Sequence, residues 1–401
     1  MAVFVDLHND VDEIMPGMVA DRRYLHQHPE LGFQEFETAK FVAERLKSLG
    51  VDEIKTGVGR TGVVAHLHGT APRRGPAKVL ALRADMDALP ILEENDVDYG
   101  SENDGVMHAC GHDAHVTMML GTARMLAKRR NEFGGTIKFI FQPAEEGQGG
   151  AKEMIADGAF ENPKPDAVFG LHIWQAADVG VVQARAGTAM VAANGFWIKL
   201  TGKGGHGALP SLCIDPIVAG AQIVTGLQTI VSRERRPIDP AVVTVGTFNS
   251  GTAMNIIPDT AELTGTVRTF TSEQLDAIEK RLEVLVHGIA KTLGVTAEIG
   301  YSMRCRATVN DPAMTEIVRA AAVEVVGPEH VVEGQVITAS EDVSEFLDLA
   351  PGCYFFIGSR NPERGLVWGH HHAKFDIDEA ALAIGVETMT RSALGYFSQP
   401  G

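Results

Sequence analysis

Thr136-Ile137-Lys138-Phe139-Ile140-Phe141-Gln142 runs directly into Pro143-Ala144-Glu145-Glu146-Gly147. The first seven residues read as an apolar strand. The Pro and Gly that follow mark a loop, and the loop carries two adjacent carboxylates. Residues 61–68, 78–83 and 167–172 also read as strands. Residues 39–49 carry apolar positions at helical spacing and stop at Gly50, and residues 115–129 make a second helix. Short apolar strands alternating with helices predict an α/β layer: a mixed, largely parallel sheet flanked by helices. Asp85 and Asp87, Glu145 and Glu146, and His172 all fall just past strand ends, where sheets of this kind place their sites.

The middle of the chain has a different texture. Strands are expected at 196–201, 242–248, 261–269 and 295–303, with helices at 215–231 and 273–293. This β-α-β-β-α-β order is the ferredoxin-like α+β pattern. It predicts a domain at about 187–303, inserted into a first domain built from residues 1–186 and 304–401. A length of 401 residues fits two cores better than one.

Composition narrows the function. Hydrophobic residues make up 45% and charged residues 22%, ordinary for a globular protein. A formal net charge of −17 repels phosphate backbones and anionic lipid, which argues against nucleic-acid and membrane partners. No run reaches the about 20 apolar residues of a membrane helix. The opening Met1-Ala2-Val3-Phe4-Val5-Asp6-Leu7-His8 lacks the basic and apolar regions of a secretory signal. Cys110, Cys213, Cys305 and Cys353 are scattered and form no C-x-x-C pair, so a reducing, cytoplasmic setting is expected.

Four stretches carry candidate chemistry. Met107-His108-Ala109-Cys110-Gly111-His112-Asp113-Ala114-His115 packs thiol, imidazole and carboxylate donors together, with Gly111 allowing close approach. Taken alone, it suits a polar turn with a buried cysteine as well as a metal site. Glu145 and Glu146 could divide labour, one coordinating metal and the other serving as general base; a solvated loop is the plain alternative. His172 follows an apolar strand, where a lone histidine is more often structural. Trp368-Gly369-His370-His371-His372-Ala373 offers three successive imidazoles. Pooled, the donors exceed what one tetrahedral ion needs and argue for two. Mixed N, O and S ligands suit zinc, manganese, cobalt or nickel rather than magnesium or calcium.

The ordered series of motifs resembles the dinuclear metallopeptidases that include aminoacylases, hippurate hydrolases and auxin-conjugate hydrolases. It starts at Arg22-Arg23-Tyr24-Leu25-His26-Gln27-His28-Pro29-Glu30-Leu31-Gly32-Phe33 and Arg83-Ala84-Asp85-Met86-Asp87. It continues through the Cys-Gly-His and Glu-Glu stretches, Gly204-Gly205-His206-Gly207, Asn255-Ile256-Ile257-Pro258-Asp259 and Gly265-Thr266-Val267-Arg268. The resemblance implies Cys110, His112, Glu146, His172 and His371 as ligands of two divalent transition-metal ions per chain. It implies Glu145 as the base that activates water, Asp85 as a residue orienting a ligand, and His206 on the oxyanion. Asn255 and Arg268 would bind the free carboxylate of a small N-acyl amino acid, with Gly358 lining the pocket. A homodimer through the inserted domain is also implied. The family's Pro after the last ligand His is Ala373 here, and its Ala-Met-Pro-His reads Ala208-Leu209-Pro210-Ser211.

Two other classes fit the sequence less well. A non-catalytic metal binder on this scaffold would lack Glu145, which is present. Gly57-Val58-Gly59-Arg60-Thr61-Gly62 matches a dinucleotide fingerprint, but it precedes a strand instead of following one and is expected to be a loop.

Overall fold

The computed structural model describes residues 7–72 and 75–399. Residues 1–6, most of the stretch read above for a secretory signal, lie outside them. The chain divides into two compact units. One runs through Ala189 and resumes at Val309–Gln335 and from Asp342 onward. The other holds Met190–Thr308 and the short segment Val336–Glu341, which lies well beyond the expected insertion.

In the first unit, helices α1 (Leu7–Gln27) and α2 (Phe36–Ser48) precede strands β1 (Glu53–Val58), β2 (Gly62–His68) and β3 (Lys78–Asp85). Helix α3 (His112–Lys128), strand β4 (Gly135–Gln142), helix α4 (Gly150–Ala156) and strand β5 (Ala167–Asp178) follow. In the second unit come β6 (Ala192–Thr201), α5 (Pro216–Glu234), β7 (Ala241–Ser250), β8 (Thr260–Thr269), α6 (Ser272–Leu293) and β9 (Thr296–Cys305). The first unit then closes with α7 (Pro312–Val326), β10 (Gly352–Arg360) and α8 (Ala380–Ser398).

The first unit is built on an 8-stranded sheet in the order β1-β2-β4-β3-β5-β10, continued by the short strands Val182–Gln183 and Val331–Val332. Its centre, β4-β3-β5-β10, is parallel, and β1 and β2 add antiparallel at one edge. Parallel strands need both faces covered, which is why β4 and β3 are buried almost throughout. Helix α3 packs against α1, α8 and β3 and is buried on nearly every side. Residues 59–61 form a turn between the antiparallel β1 and β2, so the glycine-rich hexapeptide opens no helix.

The second unit is a 4-stranded antiparallel sheet in the order β7-β8-β6-β9. With α5 and α6 it is the ferredoxin-like arrangement expected. Asp215 and Thr271 start the two helices by accepting backbone N–H groups, and Gly294 ends the second in a left-handed conformation. Ile223, Leu227 and Ile230 of α5 and Leu275, Ile278, Leu282 and Val286 of α6 lie at helical spacing. They share a core with Phe196, Ile198 and Leu200 of β6. Among the described residues, no helix is long and apolar enough to cross a membrane.

Candidate active site

Four segments meet at the carboxyl ends of the parallel strands. Gly111 takes a left-handed φ of 89° at the start of α3, a conformation that favours glycine. That turn carries Cys110 and His112 to one cluster, and β5 brings His172 to the same place. The ligand atoms of Cys110, His112 and His172 all lie within 4.8 Å of one another, as do those of Cys110, Glu146 and His371, and those of His112, Glu145 and Glu146. Each pair of these groups has one residue in common, Cys110, His112 or Glu146.

The tautomers suit a metal. His112 Nδ1 lies 2.8 Å from the carbonyl of Asp87 and His172 Nδ1 bonds the carbonyl of Ile173. A proton at each Nδ1 leaves a lone pair at each Nε2. His172 Nε2 faces Cys110 Sγ at 3.6 Å. His112 Nε2 is buried without a hydrogen-bond partner, with an oxygen of Asp85 3.8 Å away. His371 Nε2 stands 3.1 Å from Glu146 Oε1. A buried ring nitrogen left without a partner beside a thiol and carboxylates fits a cation, which would replace a proton there.

Electrostatics point the same way. Burial, with Glu146 and Glu145 nearby, pushes the Cys110 thiol well above its ordinary value. A bound cation reverses such a shift. Burial opposes a charge on His112, but Asp85 and Asp87 outweigh it and carry the imidazole up to about 10, so Nε2 holds a proton until a cation displaces it. Burial and then His115 hold His172 well below the usual histidine range.

Asp85 lies at the end of β3, and its Oδ1 is 2.5 Å from His115 Nδ1. His115 Nε2 in turn accepts the N–H of Ile173 at 2.8 Å. Both nitrogens of His115 are therefore occupied, and Asp85 orients that histidine directly. His112 is oriented by Asp87, whose Oδ2 also accepts the N–H of Glu146 at 3.0 Å. Asp87, His115 and Asp342 were assigned no role from sequence. The Asp-x-Asp spacing and the histidine three residues after His112 were the available signals for the first two. Asp342 accepts from the side chain of Gln142 at 2.6 Å and from the N–H of Ala151 at 3.0 Å, bracketing the Glu145–Glu146 loop.

Gly358 lies inside β10. A Cβ there would come within 2.1 Å of the carbonyl of Asp178, and its N–H is bonded to Val181, so close strand packing accounts for the glycine.

The other three candidates belong to the second unit. His206 and Ile256 pair in a small two-stranded ribbon, and the N–H of Gly207 bonds the carbonyl of Asn255 at 2.8 Å. His206 and Asn255 are thus neighbours on one exposed ribbon. Arg268 sits in β8, half-buried, with Nη1 donating to Thr266 Oγ1 and to the carbonyl of Val267. Among the described residues no carboxylate forms an ion pair with it. Burial lowers its pKa, consistent with a guanidinium short of compensating charge.

A sequence profile for Peptidase family M20/M25/M40 matches residues 81–394. The chain is 42% identical over 383 residues to thermostable carboxypeptidase 2 of Saccharolobus solfataricus, covering 94% of this chain and 95% of that protein. It is 39% identical to IAA-amino acid hydrolase ILR1-like 4 of Arabidopsis thaliana, covering 94% and 85%. A solved Bacillus subtilis structure, described as a dinuclear metal-binding peptidase of the M20 family, superposes with a TM-score of 0.81 at 34% identity, covering 96% of this chain and 99% of that one.

Proposed function

The chain belongs to peptidase family M20/M25/M40, and from that premise we propose that it hydrolyses the amide bond of N-acyl-L-amino acids or close analogues bearing a free carboxylate. The observation that carries the reading is the overlap of the three donor groups, which sets Glu145 beside His112 and Glu146, with His112 Nε2 buried and without a hydrogen-bond partner.

Cys110, His112, Glu146, His172 and His371 would hold two divalent transition-metal ions, zinc, manganese, cobalt or nickel. When bound, these supply Lewis acidity toward the scissile carbonyl and toward water. Glu145 takes the proton from the attacking water and returns it to the leaving nitrogen. His206 donates a hydrogen bond to the developing oxyanion. Arg268, with Asn255, holds the substrate carboxylate through charge-assisted hydrogen bonds and fixes which amide is presented.

Peptide substrates, as for a dipeptidase or carboxypeptidase, are the second reading; the name of the archaeal relative favours it. Deacetylation of a biosynthetic N-acetyl amino acid uses the same residues. A homodimer through the second unit is part of the proposal. β7 and β9 are open sheet edges, and Ile217 and Val218 of α5 are exposed apolar side chains on that unit. We place the protein in the cytoplasm, in keeping with four scattered cysteines that form no C-x-x-C pair.

The test is a hydrolysis screen of N-acyl amino acids, their C-terminal amides and dipeptides, with each of the four metals added. Release of the amino acid from N-acyl substrates, and little from their amides, is the expected result. Equal turnover of acids and amides would overturn the carboxylate requirement.

A further inference from the structure

The loop that presents Glu145 and Glu146 is held by its backbone. Ala144 has a φ of 52°, in the left-handed region that disfavours any residue with a Cβ. Something must stabilise it there. The N–H of Ala144 donates to Glu35 Oε1 at 2.8 Å, and the other oxygen of Glu35 accepts the Thr61 hydroxyl at 2.6 Å.

Glu35 occupies the N-cap position of α2 yet does not cap it. The helix N–H groups of Glu37 and Thr38 go to Glu30 instead. The carboxylate of Glu35 is fully buried and turned away from its own helix onto the loop. The same turn touches the loop again at Gly32, where a Cβ would lie 3.1 Å from Ala144 Cα and Cβ. Burial pushes the Glu35 carboxyl up to about 7. A protonated carboxyl still offers Ala144 a lone pair and can donate its proton to Thr61, so the clamp holds in either state.

We propose that Glu35 is a positioning residue for hydrolysis: it clamps Ala144 in the left-handed conformation that aims Glu145 at the reacting water. This rests on Glu145 as the base. The neighbouring Glu146 has its own anchor, because its N–H is held by Asp87. Loss of Glu35 therefore acts on proton transfer more than on metal binding.

Three predictions separate this role from a merely structural one. Glu35→Ala lowers kcat about 10- to 100-fold, as expected for a small misplacement of a reacting group, with KM and metal content close to wild type. Glu35→Gln restores most of the activity, since its carbonyl accepts from Ala144 and its amide donates to Thr61. Ala144→Gly added to Glu35→Ala also recovers turnover, because glycine enters the left-handed region unaided.

The experiment is a double-mutant cycle with Glu145→Gln, reading kcat, KM, bound metal and melting temperature on metal-loaded protein. The expected result is that Glu35→Ala costs nothing further once Glu145 is already Gln. An equal loss in both backgrounds, wild-type kcat in Glu35→Ala, or no relief from Ala144→Gly overturns the inference. Near-wild-type turnover by Glu145→Gln alone would instead sink the base assignment, whatever Glu35 does. If Glu35→Ala does not fold, Thr61→Val removes one bond to the clamp and should cost about threefold to tenfold in kcat; no cost there counts against Glu35 equally.

Discussion

Replacing Arg268 by Ala should cost the enzyme most of its preference for substrates with a free carboxylate. The guanidinium is half-buried and bonded to the Thr266 hydroxyl and the Val267 carbonyl, and among the described residues no carboxylate is in ion-pair contact with it. A charged donor in that state is under-compensated, and a substrate carboxylate would supply what is missing. Hydrogen bonds to charged groups contribute about 1.5–3 kcal/mol, which corresponds to roughly 10- to 150-fold in kcat/KM. The assay measures kcat/KM for one N-acyl amino acid and for its C-terminal amide, in wild type and in Arg268→Ala, with melting temperatures as a control on folding. The amide cannot make the charged contact, so the variant should change its turnover by less than about threefold. The fall on the acid should also match the preference of the wild type for acid over amide, because both report the same contact. An equal fall on both substrates would show that Arg268 serves the sheet of its own unit, and the carboxylate anchor would have to be sought elsewhere.

Glu145→Gln should keep its metal and lose about 3 to 5 orders of magnitude in turnover, whereas Glu146→Gln should lose metal as well; elemental analysis alongside kcat separates them, and equal metal loss would mean the roles are misassigned. Chelation should abolish activity reversibly, with two transition-metal ions per chain on reconstitution, and full activity with only one tightly bound ion would remove the dinuclear assignment. Glu145→Gln and His206→Ala should each be nearly inactive alone, yet after random subunit exchange the mixture should regain up to about a quarter of wild-type activity if His206 serves the partner subunit's site. No recovery, with exchange shown independently, would confine His206 to its own chain.

What the sequence showed and what it hid divide along physical lines. β3 and β4 are buried on both faces, so their composition alone identifies them, and the polar residues at their ends follow. β1 is an edge strand, largely exposed, and offers no alternation to read. Helix α1 contains Pro16 followed by Gly17, breaker signals that mask an apolar face of Leu7, Val11, Ile14 and Met18 at helical spacing. Cys110, His112 and Glu146 stand out because several donor types crowd short stretches. Asp87, His115, Asp342 and Glu35 matter through partners 25 or more positions away, such as the 25 between Asp87 and His112, and no local pattern reports such a contact.

The three histidines at 370–372 show why geometry is needed to finish the reading. His370 is half-buried, stacks on Trp174 at 5.1 Å and accepts the N–H of Gln175 at Nε2. Burial, with His115 and His371 nearby, holds it down to about 3, so it is a neutral packing residue. His372 stacks on Trp368 at 4.3 Å and accepts the N–H of Lys374, and it is exposed. His371 alone of the three presents a nitrogen to Cys110 and Glu146. It does so from a left-handed backbone with φ of 65°, tied by its N–H to the carbonyl of Ala109 at 2.8 Å. A positive φ turns the side chain out of the direction its neighbours follow, so counting positions along the segment cannot say which ring faces the cluster. The backbone bond to Ala109 does say it, because it couples the histidine segment to the residue preceding Cys110. His371→Ala should therefore weaken metal binding, while His372→Ala should leave it unchanged; loss of metal from the second variant and not the first would reverse the register.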